Sequence, residues 1–115
     1  MNAPMPEVDA ASVPADALLL DVREADEWQA GHAQDALHVP MSEFVGRFDE
    51  VTSRTGDGRP VYLVCHSGGR SAQVAQYLQQ QGVEAVNVAG GMLAWAAAGR
   101  PLVGEGDAAA RPQVI

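Results

Sequence analysis

The chain has 115 residues, room for one domain, which on the usual scaling hides roughly two thirds of the surface its unfolded chain would show. Its formal net charge is −8, it contains no lysine, and its seven arginines are spread along its length. This distribution argues against a nucleic-acid or anionic-membrane surface and obliges an anionic substrate to find a local positive pocket. One cysteine and three scattered histidines offer neither an internal disulfide nor a metal-ligand spacing, and no run approaches the roughly 20 apolar residues of a membrane span.

The first residues, Met1 to Glu7, carry neither a basic segment nor an apolar one, so they do not read as a secretory signal and the cytoplasm is the expected compartment. From Leu18 onward, short apolar runs alternate with helix-like stretches, the pattern of an α/β domain with a largely parallel sheet. Strands are expected at Leu18-Leu19-Leu20-Asp21-Val22, Leu37-His38-Val39, Val61-Tyr62-Leu63-Val64 and Ala85-Val86-Asn87-Val88, with a fifth around Val8. Between the first two, Glu24 to Ala30 opens acidic and closes before Gly31, as a short glycine-capped helix does. Phe44, Phe48 and Val51 recur at helical spacing behind a Ser42 cap, and Gly56-Asp57-Gly58 with Pro60 turns the chain into the next strand.

Ser71 to Gln81 places Val74, Ala75 and Leu78 on one face, with Gly82 following as the cap. A last helix is expected from Gly91 to Ala98, burying Met92, Trp95 and Ala96 and stopping at Gly99. Beyond it the residues lose any period, so the domain is read as 1–103 and 104–115 as a flexible tail, loosely ordered like the first few residues.

The chemistry concentrates at Cys65, which ends the apolar run Val61-Tyr62-Leu63-Val64 and precedes His66-Ser67-Gly68-Gly69-Arg70-Ser71. A strand that stops at a thiol and feeds a glycine turn aims the following N–H groups and the positive end of a helix at the sulfur. Both favour the thiolate, the reactive form.

Three stretches together resemble the rhodanese family of sulfurtransferases: Leu20-Asp21-Val22-Arg23-Glu24 with Glu27-Trp28 and Gly31-His32; Cys65 to Ser71; and Gly90-Gly91-Met92-Leu93-Ala94-Trp95 with Gly99 and Pro101. The resemblance implies a single domain with a mostly parallel sheet of about five strands flanked by helices on both faces. It assigns the active-site cysteine to Cys65 and the substrate cradle to His66, Ser67, Gly68, Gly69, Arg70 and Ser71. The implied chemistry is sulfur transfer through a Cys65 persulfide, with no cofactor and no metal. Sulfur would pass from a small anionic donor, thiosulfate or a low-molecular-weight persulfide, to cyanide or a thiol, a protein thiol included.

Gly68 and Gly69 would let the loop curl so that its N–H groups converge on the sulfur as a nest. Arg70 is read as a cation at the mouth of the cradle, since a helix start disfavours a merely solvated arginine. His66 is open between a titratable cation of the loop and a solvent-facing residue. Ser67 and Ser71 are candidate donors to the persulfide, with helix capping the first reading for Ser71. Asp21 and Arg23 are read as a structural ion pair, His32 and His38 as structural, and Trp28 and Trp95 as core. Where the family commonly continues after Gly31-His32 with an apolar residue, Pro, Gly and Ala, this chain has Ala33-Gln34-Asp35-Ala36, a change expected to alter only a turn.

Two rival functions remain. A cysteine-dependent phosphatase or arsenate reductase uses a related fold, but its loop needs one residue more between Cys and Arg than the four separating Cys65 and Arg70. A non-catalytic sulfur-carrier or interaction module is the second. The oligomeric state is open between a monomer and a homodimer.

Overall fold

A computed structural model describes residues 5–115 of the chain, so most of the segment expected to be loosely ordered at the start falls outside the described residues. The sheet has five parallel strands in the order β1-β5-β4-β2-β3, where β1 is Glu7–Asp9, β2 Leu18–Asp21, β3 Leu37–His38, β4 Val61–Val64 and β5 Ala85–Ala89. The helices are α1 (Ala25–Ala30), α2 (Phe48–Thr55), α3 (Gly69–Gln80) and α4 (Gly91–Ala97). This is the expected architecture, including the strand around Val8, which pairs with β5 through Val8 opposite Val88.

The central strands are apolar runs because both faces of a parallel sheet are covered. Leu18, Leu20 and Val22, with Val61, Leu63 and Cys65, face Val51 of α2 and Val74, Ala75 and Leu78 of α3. Leu19, Val64 and Val88 face Met92 and Trp95 of α4. Leu20 and Leu63 are register partners and fully buried; each such side chain contributes roughly 1.5–3 kcal/mol by leaving water.

Several local expectations give way to tertiary contacts. Ser42 caps no helix: its hydroxyl donates to Glu24 Oε1 at 2.8 Å, and the stretch expected as one helix is two 3₁₀ turns, Met41–Glu43 and Val45–Arg47, followed by α2. Trp28 is half-buried outside the core, stacked between the imidazoles of His32 (3.5 Å between centroids) and His38 (4.4 Å). Trp95 does lie in the core.

The tail also departs from its expected looseness. Val103 pairs antiparallel with His32, and Glu105 and Gln113 donate their amides to the carbonyls of Gln29 and Ala30 at 2.9 Å each. These are C-terminal carbonyls of α1 that the helix cannot satisfy itself. The tail is therefore held by backbone bonds and by Val114, which packs against the cluster of Met92 and Trp95; one apolar side chain leaves no period to read. Gly31 is glycine for the same reason, since a Cβ there would collide with the Gln113 backbone.

Asp35 has a φ of 67°, a left-handed conformation that costs an L residue about 1–2 kcal/mol and that Asp tolerates better than most. It occupies the place where the resemblance leads one to expect glycine. In urea titrations, Asp35→Gly should therefore retain wild-type stability or exceed it, while Asp35→Val should lose about 1–2 kcal/mol relative to the glycine variant; equal midpoints would remove this account of the turn.

Candidate active site

Cys65 follows β4 directly, and the way the chain leaves the sheet determines where its amides point. Met92 and Leu93, in the first turn of α4, donate their N–H groups to the carbonyls of Cys65 (2.8 Å) and His66 (3.1 Å). Those helix-start donors lack intrahelical partners, so the contact satisfies them and turns both loop carbonyls toward α4. Gly91 makes the approach possible: a Cβ there would collide with the Cys65 and His66 carbonyls, and its φ is 57°.

The loop then reverses at Gly68, the residue before α3, with φ 113° and ψ −12°. This conformation is unfavourable for any residue with a Cβ, and it brings the Gly68 N–H to 3.0 Å from Cys65 Sγ. Gly69 needs no such freedom; it is the first residue of α3, outside the positive-φ glycines, with open space where a Cβ would be. The turn is therefore the work of one glycine of the pair.

Cys65 is only 1% exposed, yet its sulfur is ringed by polar hydrogens. Burial pushes the thiol up. Against it act the Ser71 hydroxyl and the backbone N–H groups of Ser71, Gly68 and Ser67, and together they outweigh burial and hold the thiol below its ordinary range. Ser71 is fully buried within the first turn of α3 and is not its cap, a place taken by Gly68. Its Oγ lies 2.7 Å from Asn87 Oδ1, 3.3 Å from the Gly68 carbonyl and 3.3 Å from Cys65 Sγ. Asn87, from β5, is 2% exposed; in the sequence it reads only as one polar residue in an apolar strand. Ser67 is exposed and His66 half-buried.

Arg70 is not a free cation. Its Nη1 and Nη2 donate to the two carboxylate oxygens of Glu27 at 2.8 Å each, a bidentate pair with Arg70 35% and Glu27 18% exposed at the side chain. The Arg70 hydrogen bonds hold the Glu27 carboxyl far below the ordinary range, at about 2, and the carboxylate in turn raises the guanidinium above its own. Glu27 also accepts from the Glu24 amide at 3.1 Å. The residues lie 43 apart in the chain, so no local pattern signals the pair.

Behind α1, Asp21 and Arg23 are fully buried and joined through Nε and Nη2, the closest contact being 2.7 Å. Arg23 donates further to the carbonyls of Gly31 (2.7 Å) and Glu27 (3.2 Å), fastening α1 to the end of β2. Among the described residues no cluster of His, Cys, Asp and Glu is arranged to hold a metal ion, and no helix is long and apolar enough to cross a membrane.

The depressed Glu27 carboxyl implies a pH-dependent contribution to stability. A carboxyl lowered in the folded state stabilises fully above its unfolded value, and that stabilisation is lost as pH falls from 4.5 toward about 2. Wild type should lose stability over this window more steeply than Glu27→Gln; parallel acid-unfolding curves would show the pair to be energetically silent.

Comparison with known proteins adds the following. The family model described as Rhodanese-like domain matches residues 6–98. A protein of Allochromatium vinosum named Sulfurtransferase is 42% identical over 89 residues, covering 76% of this chain and 79% of that protein. The putative sulfur carrier protein YrkF of Bacillus subtilis is 36% identical over 78 residues, 67% of this chain but 40% of its own length. A crystal structure of a rhodanese-related protein from Thermoplasma volcanium superposes with a TM-score of 0.76 at 29% identity, covering 85% of this chain and 97% of that one.

Proposed function

The chain belongs to the rhodanese-like domain family, and on that premise we propose that it transfers a sulfane sulfur through a persulfide on Cys65. The observation that carries this reading is the polar ring around Sγ, with the Gly68 N–H at 3.0 Å and the Ser71 Oγ at 3.3 Å. The Cys65 thiol first releases its proton to solvent. Its thiolate attacks the outer sulfur of the donor; the new S–S bond forms as the donor's own S–S bond breaks, and sulfite or a thiolate leaves with the electron pair. The persulfide carries its negative charge on the terminal sulfur, near the same amides. A thiolate or cyanide then attacks that sulfur and releases the Cys65 thiolate. No cofactor takes part.

Treatment with thiosulfate or glutathione persulfide should add one sulfur to the peptide containing Cys65, as read by mass spectrometry, and Cys65→Ser should show neither adduct nor turnover. An unmodified wild-type peptide under both donors would end the proposal.

Electrostatics favours a persulfide protonated at its outer sulfur over thiosulfate, which brings both of its charges into the cradle with the sulfur it donates. Arg70 is neutralised by Glu27, and the chain carries a formal net charge of −8, so a dianion gains little at the mouth of the cradle. Removing the Glu27 charge should raise kcat/KM for thiosulfate more than for glutathione persulfide, by about 5-fold for an interaction of about 1 kcal/mol. Added salt should shrink the difference. Equal effects on both donors would remove Arg70 and Glu27 from donor selection.

The same pair weighs against a phosphatase, whose loop needs its arginine directed at the bound oxyanion. The carrier reading draws on the YrkF relative and shares the Cys65 persulfide; repeated turnover with a small thiol acceptor distinguishes the enzyme from a carrier that discharges only to a partner protein.

A further inference from the structure

The Ser71 hydroxyl has one hydrogen and three acceptors in reach: Asn87 Oδ1 at 2.7 Å, the Gly68 carbonyl at 3.3 Å and Cys65 Sγ at 3.3 Å. Which one receives it depends on the orientation of the Asn87 amide, and the surroundings leave one choice. The Asn87 nitrogen faces two acceptors, the Gly68 carbonyl at 3.2 Å and Glu7 Oε2 at 3.4 Å. A flipped amide would set oxygen against both, so Nδ2 stays on that side and Oδ1 is presented to Ser71. Asn87 and Ser71 are both buried, so the bond forms in a low-dielectric setting where it is stronger than in water.

We infer that Asn87 is a positioning residue that sets the direction of the Ser71 hydroxyl: toward Asn87 while Cys65 is a thiol, toward the sulfur once Cys65 is ionised or carries the negative charge of a persulfide. In the thiol state the hydroxyl hydrogen lies on Oδ1, and the Ser71 oxygen faces Sγ as an acceptor for the thiol hydrogen. On ionisation that hydrogen leaves for solvent and the sulfur becomes the stronger acceptor. The hydroxyl rotates to it, and Oδ1 loses its donor. Hydrogen bonds to charged groups are roughly twice as strong as neutral ones, so the rotation is favourable but opposed. Asn87 thereby moderates the thiolate, leaving the sulfur more basic, and so more nucleophilic, than a hydroxyl free to serve it alone would allow.

The charged and titratable groups around the sulfur are few. Glu7 approaches from β1 through the Asn87 nitrogen, Arg70 from α3 with its charge met by Glu27 of α1, and His66 follows in the loop. Asp21 of β2 is closed by Arg23, and β5 and α4 carry no ionisable side chain.

The inference rests on Cys65 being the reactive thiol, as proposed above, but its test uses alkylation by iodoacetamide and needs no sulfur transfer, so the two can fail separately. Asn87→Leu keeps the branched shape of the side chain, at a larger volume, and removes the acceptor. The pH midpoint of Cys65 alkylation should fall by about half a unit to one unit, the worth of a neutral hydrogen bond no longer opposing the rotation. In a Ser71→Ala background the same substitution should leave the midpoint where Ser71→Ala puts it. A rise on Asn87→Leu, no shift, or an equal shift in both backgrounds overturns the inference, the last because the effect would then run through the Gly68 turn. Should Asn87→Leu fail to fold, NMR of the wild-type chain decides. The Asn87 side-chain carbonyl carbon should shift at the same midpoint as the thiol, with most of that shift lost in Ser71→Ala; a resonance that ignores the titration refutes the relay.

Discussion

A thiol buried to 1% exposure ordinarily becomes a weaker acid, because the interior penalises its charged form. Cys65 escapes this only because the loop after it supplies hydrogen-bond donors within a few ångströms, and that supply depends on one backbone conformation, the left-handed Gly68 that turns its N–H to the sulfur at 3.0 Å. Without that turn Sγ would be one more apolar atom of the cluster that contains Leu63 and Leu78. The rest of the domain serves to keep the loop in this conformation.

Two supports reach the loop from opposite sides. On one, α4 takes the Cys65 and His66 carbonyls on its first-turn amides, and Asn87 of β5 takes the Gly68 carbonyl, so neither end of the loop can relax independently of the sheet. On the other, Arg23 binds Asp21 and the carbonyls of Glu27 and Gly31, which fixes α1 against β2; α1 then presents Glu27 to Arg70 at the start of α3. Burying Arg23 and Asp21 is costly in desolvation, and replacing such a pair by apolar residues often leaves stability unharmed. What apolar residues could not supply is a set of directed donors reaching the end of a strand and the end of a helix at once.

How much of this was legible follows the range of the interactions. The parallel sheet, its central apolar strands, and the strand-thiol-turn-helix order at Cys65 are local patterns, and the fold agrees with them. The partners of the site residues are separated in the chain. In the sequence Arg70 reads as a free cation because Glu27 lies 43 residues away, and Ser71 reads as a cap because nothing near it in the chain announces Asn87, 16 residues on. The signal for Asn87 was present but faint, a carboxamide inside the strand Ala85–Ala89, where an unpartnered polar group would be expensive. The tail beyond Leu102 is held chiefly by backbone bonds to the open end of α1, with Leu102 and Val114 against the core, and composition does not disclose backbone bonds.

The central claim, that donors around Sγ overcome burial, is tested most directly by titrating the unmodified chain and following the Cys65 Cβ resonance by NMR. The account requires the thiolate to form with a midpoint below the ordinary cysteine value of about 8.5. A midpoint at or above that value would mean that burial prevails, and that the amides seen around the sulfur do not stabilise its charge.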